Sequence, residues 1–385
     1  MEIHPVPFKA LGGLYEQDDV DAAMRVIANA AEPQGTFFPL PEETDFQSAF
    51  AEHEGAEYAI AVNSCGTGLD VCMMVLGIQA GDEVITSPLT FVCSATCAAA
   101  RGAKVVFADI DEQTMNLDPE QVRAKLSDRT RAIIPVHYTG LPCDLDAFEA
   151  ISRETGIPII YDAAHMAGGL YQGRPVGGRG QASCYSFQSN KNMTLLGEGG
   201  AVTTDDADFA EKVRQKKTFG YVYGGPEVRV VTIGFNYRMT KVQYAVGLTQ
   251  LAKLDRVVAE RRRRMLRMNE LLAEVEELIL PVGHGPGHAS HMYSVRLDTD
   301  QVSFSEAELR KQMQEAHQVG SSKCYHVAWS WEAFAEIDYD NSDCAIAEKA
   351  CRQVFQLPIF PDTPFEDLDY IAWAVKESIA ALKES

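Results

Sequence analysis

The residues with the clearest chemical potential surround Lys191, in a segment that starts at Ser186 and ends in the glycine-rich run 197–200. Upstream, the apolar run 157–161 is typical of a buried strand, and it ends in Asp162. A lysine can form a Schiff base with an aldehyde cofactor, a carboxylate can keep a pyridine nitrogen protonated, and a serine can bind phosphate. A lone lysine in such a loop would be a solvated surface residue. Together, the three residues predict chemistry that depends on pyridoxal phosphate (PLP).

A second candidate element follows the predicted strand 58–62, where Ser64-Cys65-Gly66-Thr67 precedes a helical pattern. Backbone N–H groups and the helix dipole form an anion site at such a position, although an ordinary turn with a helix cap has the same sequence features. Beside the lysine and the acid, the segment predicts that Cys65, Gly66 and Thr67 bind the phosphate of the cofactor. It is not a P-loop, because no Gly-Lys-Ser/Thr follows.

The elements that position these residues are short apolar segments that alternate with helical patterns from about residue 58 to residue 204. Strands that are buried on both faces and separated by helices imply an α/β fold with a mostly parallel, helix-covered sheet. Ligands of such sheets bind at the carboxyl ends of the strands. We therefore expect Ser64, Asp162 and Ser186 to lie at one edge.

Three segments are predicted along the chain. An N-terminal helix and arm over 1–45 precede a large cofactor-binding domain over 46–250. A smaller α+β domain over 251–385 includes the connecting helix, since a long helical pattern runs through about 240–279. The glycine- and proline-rich stretch 281–289 that follows is the best candidate for a boundary.

Composition limits the classes of function. The chain has 385 residues, 46% of them hydrophobic, and can bury a substantial core. It shows no signal-peptide pattern and no apolar run of about 18 residues, so no membrane span is predicted. Nine scattered cysteines without a C-x-x-C pair indicate free thiols in a cytoplasmic protein, with no metal site. The net charge of −21 argues against nucleic acid or an anionic membrane as partner.

The acidic sequence contains one basic cluster, the four arginines 261–264. The apolar residues on both sides of the cluster keep helical spacing. This pattern predicts that the arginines form a solvated or intersubunit face of a helix and not a site for nucleic acid.

Three further candidates lie near predicted strand ends. Phe91 begins a helix after a strand and could stack on the cofactor ring, or be a core residue. His165 lies just after Asp162 and could contact the phenolic oxygen or the ring of the cofactor, or be structural. His137 falls at another strand end and is a candidate substrate contact.

With these motifs, the chain resembles the DegT/StrS family of sugar aminotransferases. These are fold-type-I PLP enzymes that aminate keto-sugars, usually nucleotide-linked, or keto-cyclitols. The combination of matching segments is specific, although no single segment is. The matches are spread over most of the chain and comprise residues 77–85, 90–92, 109–111, 134–137, 162–165, 186–202, 234–239 and 357–361.

The resemblance implies roles for individual residues. It makes Lys191 the Schiff-base lysine and Asp162 the acid at the pyridine nitrogen. It makes Phe91 the stacking aromatic and Ser186 a phosphate ligand. In the family, the asparagine at the position of Asn236 reaches the phosphate in the neighbouring subunit's active site, which implies a homodimer with shared sites.

Three segments depart from the family pattern. The usual Ser-Gly-Thr at the phosphate is Ser64-Cys65-Gly66, and residues 188–190 read Gln-Ser-Asn where tyrosine or histidine with proline is common. The H-Y-x-P-L-H segment is changed at 324–329 but keeps Tyr325, a candidate substrate contact. The family's dehydratase branch is disfavoured, because histidine replaces the lysine there.

The expected activity is transfer of an amino group from glutamate or glutamine to a keto-sugar, nucleotide-linked or free, or to a keto-cyclitol. Two alternatives are a PLP-dependent lyase or aldolase of the same fold and a PLP-binding regulatory protein. The regulatory alternative predicts loss of Lys191 or Asp162, and both are present. A stable half-reaction with the amino donor distinguishes a transaminase from a lyase.

Overall fold

The computed structural model describes residues 1–222, 227–283 and 285–384. No helix in these ranges is long and apolar enough to cross a membrane. The helices described there are α1 (Gln17–Ala31), α2 (Glu42–Glu54), α3 (Cys65–Leu76), α4 (Cys93–Ala99), α5 (Pro119–Lys125), α6 (Leu145–Thr155), α7 (Ala207–Lys217), α8 (Lys241–Leu272), α9 (Glu306–His317), α10 (Ala345–Gln353) and α11 (Phe365–Lys383).

The strands of the same ranges are short, and most are buried. In chain order they are β1 (Tyr58–Val62), β2 (Glu83–Thr86), β3 (Lys104–Phe107), β4 (Thr130–Ile134), β5 (Ile160–Asp162), β6 (Leu170–Tyr171), β7 (Arg174–Pro175), β8 (Ala182–Ser186), β9 (Gly200–Thr204), β10 (Tyr221–Val222), β11 (Arg229–Val230), β12 (Leu278–Ile279), β13 (Tyr293–Leu297), β14 (Ser322–Lys323), β15 (Tyr339–Asp340) and β16 (Val354–Leu357).

The central sheet has the strand order β15-β3-β2-β4-β5-β8-β9-β1. The first four strands are parallel, and β4 continues to β5 through the parallel bridges of Ile133 to Ile159 and Val136 to Asp162. Strands β5 and β8 are also parallel, whereas β9 is antiparallel to both β8 and β1. The predicted mostly parallel sheet is confirmed. The exception is β9, which follows β8 through a loop without the crossover helix that a parallel partner would need.

Helices cover both faces of this sheet, as the packing of β1 shows. Ile60 packs with Leu69 of α3 in one hydrophobic cluster, whereas Ala61 packs with Phe50 of α2 in another. Successive strand residues point to opposite faces, so both faces of the strand must be apolar. The burial of both faces explains why the strands appear in the sequence as continuous apolar runs.

A second, antiparallel sheet of order β12-β13-β16-β14 forms the C-terminal part and packs with residues of α8, α9 and α11. The predicted division at 250/251 falls inside α8, which runs unbroken over Lys241–Leu272. The short strand β15 of the C-terminal part pairs with β3 of the central sheet. Residue 284, in the candidate boundary stretch, lies outside the described residues.

The predicted solvated or intersubunit face is wrong for two of the four arginines in α8. Arg261 is 2% exposed and Arg264 is 6% exposed. Arg261 donates hydrogen bonds to the backbone oxygens of His291 and Gly12, and Arg264 donates to that of Thr363. Backbone oxygens satisfy buried guanidinium donors. Helical spacing could not show this, because the acceptors are distant in sequence.

Candidate active site

The candidate site lies where three strands of the central sheet end. Asp162 ends β5 and Ser186 ends β8, and these two strands are parallel. Two antiparallel pairings separate β1 from β8, so β1 runs in the same direction and brings Ser64 to this edge. The loop from β8 to β9 carries Lys191. These residues line one cleft of about 490 Å³.

Eight of the predicted site residues line this cleft. They are Cys65, Gly66, Phe91, Asp162, His165, Ser186, Lys191 and Tyr325. Three others, Thr67, His137 and Asn236, lie elsewhere. Topology explains seven of the first group, because they follow strands of the central sheet that end at the same edge. Tyr325 instead follows β14 of the second sheet.

Asp162 is 2% exposed, and three donors hold its carboxylate. Oδ1 accepts a hydrogen bond from the Ala164 N–H at 3.0 Å and shares the single proton of the Cys65 thiol, at 3.6 Å, with the oxygen of Cys184, at 3.3 Å. Oδ2 accepts one from the Ser94 hydroxyl at 2.6 Å. A carboxylate has about four acceptor positions, so one remains for a ligand in the cleft. This arrangement suits a carboxylate that must point at a protonated ring nitrogen.

Ser94 is a residue that the sequence reasoning missed. Its hydroxyl contacts that of Thr90 at 2.9 Å as well as the acid, and its side chain is fully buried in the first turn of α4. Ser94 and Asp162 are 68 positions apart. The available signal was a serine on the apolar face of a short helix, where a buried hydroxyl requires a partner.

Lys191 extends into the cleft from a loop that other segments hold. The N–H of Gly12 donates to the oxygen of Ser189 at 2.8 Å, and the Asn192 side chain donates to the oxygen of Ala289 at 2.7 Å. Burial lowers the pKa of Lys191, while the nearby Asp162 acts in the opposite direction. A lowered pKa increases the fraction of neutral amine, which is the nucleophilic form.

At the start of α3, the predicted phosphate ligands divide into two groups. The Thr67 hydroxyl donates to Asn63 Oδ1 at 2.7 Å, and its N–H donates to Oγ of Ser64, the N-cap residue, at 3.1 Å, so Thr67 completes the capping box of α3. The Cys65 thiol points into the protein, and burial raises its pKa far above the usual value. The first N–H groups of a helix have no partner within it. Those of Cys65 and Gly66 are therefore the groups suited to an anion.

One wall of the cleft consists of aromatic rings. The His165 Nε2 lies 2.9 Å from the Tyr325 hydroxyl, and the two rings are parallel with centroids 5.7 Å apart. The ring of His291 lies 4.6 Å from that of His165. Burial lowers the pKa of His165 well below its usual value, which keeps the ring neutral. Phe91 is 59% exposed, so its face is available to a planar ligand.

The structure places His137 in the core and not in the cleft, which corrects its prediction as a substrate contact. Its side chain is fully buried and stacks on Tyr161 at 5.2 Å. Its Nδ1 accepts the N–H of Cys143 at 3.1 Å. Burial lowers the pKa of His137 to about 3. A 3₁₀ turn at Tyr138–Gly140 follows His137 directly, and the cleft is lined by the preceding residue, Val136.

Asn236 lies on an exposed loop outside the cleft of its own chain. Its Oδ1 accepts a hydrogen bond from Arg238 at 2.9 Å, and its backbone forms a bridge with Thr218. Within one subunit it therefore has no access to the residues around Lys191.

PLP fits the residues of this cleft. Lys191 can be linked to it, and Asp162 has one acceptor position left for its ring nitrogen. Ser186 and the first turn of α3 can bind its phosphate, and the exposed face of Phe91 can cover its ring. Each group has the chemistry that its part of the cofactor requires.

Comparison with known proteins agrees with this geometry. The model of the DegT/DnrJ/EryC1/StrS aminotransferase family matches residues 19–376. The spore coat polysaccharide biosynthesis protein SpsC of Bacillus subtilis (strain 168) is 34% identical over 352 residues, 88% of this chain and 90% of that protein.

Two solved structures extend the likeness to three dimensions. The aminotransferase from Psychrobacter cryohalolentis has a TM-score of 0.89 at 28% identity and covers 98% of this chain and 100% of that one. DesV of S. venezuelae has a TM-score of 0.85 at 31% identity and covers 94% of each chain. The protein thus belongs to the DegT/DnrJ/EryC1/StrS family of PLP-dependent aminotransferases.

Proposed function

We propose that this aminotransferase moves an amino group from glutamate or glutamine to the keto group of a sugar, nucleotide-linked or free, or of a cyclitol. The observation that carries the proposal is the cleft itself, where Lys191 and Asp162 face further polar side chains. Those of Gln188, Asn190 and Glu198 offer hydrogen-bond donors and acceptors that suit a substrate rich in hydroxyl groups.

In this proposal, PLP supplies an electron sink for C–H bond changes next to the transferred nitrogen. Lys191 would hold the cofactor through Nζ, and the same amine would be the base that accepts and returns a proton during amino transfer. Asp162 keeps the ring nitrogen protonated through its remaining acceptor position. His165 and its partner Tyr325 would line one side of the bound cofactor, and the neutral ring of His165 would add no charge there.

A homodimer with shared sites is part of the proposal. The loop that carries Asn236 exposes large apolar side chains: Val230 is 65% exposed, Ile233 is 78% and Phe235 is 44%. Contiguous exposed apolar residues are typical of a protein interface. A second copy of the chain that covered this loop would bring Asn236 to the partner's phosphate.

A cytoplasmic location is also proposed. All nine cysteines are free thiols, and eight of them are buried. Free thiols are the normal state in a reducing compartment.

The test is the half-reaction of the purified holoenzyme with the amino donor alone. Glutamate or glutamine should convert the visible absorbance of the lysine-bound cofactor to the ultraviolet band of its amine form, with release of the keto acid. Addition of a keto-sugar or keto-cyclitol that is a substrate should restore the visible band. The Lys191→Ala protein is the matched control. An unchanged spectrum with both donors would refute the proposed donors.

A further inference from the structure

Arg261 is a buried cation beside the cleft that the chemistry described so far does not use. Its Nη1 donates to the oxygen of His291 at 2.9 Å, and its Nη2 donates to the oxygen of Gly12 at 2.6 Å. The guanidinium carbon also lies 5.5 Å from the ring centre of Phe360. Asp362 is the acid that attracts this guanidinium, but its carboxylate accepts a hydrogen bond from Lys9 at 2.7 Å.

Such a group is expensive to bury. A buried charge that lacks a direct carboxylate partner loses hydration without full compensation. Burial accordingly lowers the pKa of Arg261 to about 9, and it still carries its charge at neutral pH. An apolar residue of similar size would avoid this cost, so the contacts of the arginine indicate a role besides stability.

One of the two acceptors, the oxygen of Gly12, belongs to the segment that holds the lysine loop. Gly12 donates its own N–H to Ser189, two positions before Lys191. The approach is so close that a Cβ on Gly12 would lie 2.0 Å from the oxygen of Asn190. A shift of Gly12 would therefore move the loop that carries the lysine.

The other acceptor, the oxygen of His291, belongs to a residue whose ring packs against the aromatic wall. The ring of His291 lies 4.6 Å from the ring of His165, which contacts the Tyr325 hydroxyl. The backbone N–H of His291 donates to the oxygen of Thr139 at 3.1 Å. One guanidinium group therefore joins the lysine side of the cleft to its aromatic wall.

We propose that Arg261 is a positioning residue that fixes the distance between Lys191 and the His165–Tyr325 pair. The planar guanidinium can donate two hydrogen bonds in fixed directions, which a lysine or an apolar side chain cannot do. This inference rests on the proposed role of Lys191 as the residue that binds the cofactor.

Arg264 offers a matched control. It lies in the same helix, is 6% exposed, and also donates to a backbone oxygen, that of Thr363. Its other contacts are Glu260, within the helix, and the ring of Phe365, whose centre lies 5.0 Å from the guanidinium carbon. None of these partners lines the cleft.

The experiment compares Arg261→Met with Arg264→Met, since methionine keeps helix propensity and removes the donors. Hydrogen–deuterium exchange of the protein without cofactor should become about tenfold faster at 186–193 and 288–292 in Arg261→Met, as expected for loss of anchoring hydrogen bonds. Arg264→Met should leave both segments at wild-type rates. With cofactor, the pH midpoint of the visible absorbance should shift in Arg261→Met alone, and Arg261→Lys should recover part of the shift.

Equal exchange in both methionine variants, or wild-type exchange in Arg261→Met, would overturn the inference. Thermal denaturation shows whether each variant folds. If Arg261→Met does not fold, Arg261→Lys and Arg264→Lys provide the same comparison. The exchange readout needs no catalysis, so it fails independently of the proposed amino transfer.

Discussion

Hydrogen-bond donors from three neighbouring residues surround the carboxylate of Asp162 and leave one acceptor position for a ligand. The Cys65 thiol, the Ala164 N–H and the Ser94 hydroxyl occupy three acceptor positions of its carboxylate. Asp162 also lines the cleft, so its remaining acceptor position is available to a ligand there. The buried thiol remains protonated, because burial raises the pKa of Cys65. The acid therefore meets a donor there and not a second negative charge.

Asp162→Asn should bind PLP but lose about 10²-fold or more in turnover, because an uncharged amide does not keep the ring nitrogen protonated. Single-turnover rates with glutamate measure this loss. Asp109→Asn is the matched control, since Asp109 is also a buried acid near a strand end, where it accepts the N–H groups of Ile346 and Ala347. A rate for Asp162→Asn within about threefold of wild type would show that the acid has another role.

The sequence indicated which residues form the site, but it did not indicate the direction in which each side chain points. Lys191, Asp162 and Ser186 could be placed in one cleft, because strand ends define an edge. The Thr67 hydroxyl instead turns back to Asn63 in the helix cap. Such a choice depends on local side-chain geometry, which spacing alone does not specify.

Among the elements, β4 and the turn after it explain why His137 is structural. The strand's carboxyl end lies beside β5, and the ring of His137 is enclosed against Tyr161. The neutral ring accepts the N–H of Cys143. Protonation would remove this acceptor and place a charge in the core.

The stability of the fold should therefore depend on His137 below neutral pH. Its pKa is about 3 when folded against an ordinary 6.5, so its contribution is fully present above 6.5 and is lost as the pH falls towards 3. The loss is about 1.4 kcal/mol per pH unit in that window. His137→Asn keeps an acceptor that does not titrate, and it should flatten the decrease of urea midpoints between pH 6.5 and 4.5.

His326→Asn, which makes the same substitution at an exposed histidine, provides the control. The same steepness in wild type and His137→Asn would contradict the assignment. The buried His165 and His291 also have lowered pKa values, so a residual slope is expected.

Several elements could be predicted from pattern and others could not. The predicted strand 58–62 coincides with β1, and the long helical pattern predicted through about 240–279 contains α8, Lys241–Leu272. The two-residue strands β14 and β15 have no recognisable pattern. They pair only because distant segments, such as β3 beside β15, present free strand edges to them.

For the whole molecule, the sharpest prediction concerns the shared site. Asn236 is outside the cleft of its own chain, on a loop with exposed Ile233 and Phe235. Mixing inactive Lys191→Ala chains with inactive Asn236→Glu chains should restore activity, because one of the two heterodimer sites receives both intact residues. Random mixing gives about half heterodimers, so about a quarter of wild-type activity is the maximum.

Co-expression with two affinity tags ensures that heterodimers form and can be isolated. Mixtures in which one parent is replaced by Lys191→Ala/Asn236→Glu chains are the control and should stay inactive. Isolated heterodimers without activity, from parents that both fold, would show that each chain builds a complete site. The sequence could suggest this arrangement only through family resemblance, because a lone asparagine carries no signal of its partner.

The central claim is that Lys191 is the residue to which the cofactor is bound. Borohydride reduction of the holoenzyme, followed by proteolysis and mass spectrometry, tests it directly, because reduction makes the lysine–cofactor link permanent. The comparison residue within the chain is Lys217, another buried lysine. Its Nζ donates hydrogen bonds to the Glu43 side chain and to the backbone oxygen of Ala61. The added mass is expected on the peptide that contains Lys191. The same mass on the peptide with Lys217, or on any peptide without Lys191, would contradict it.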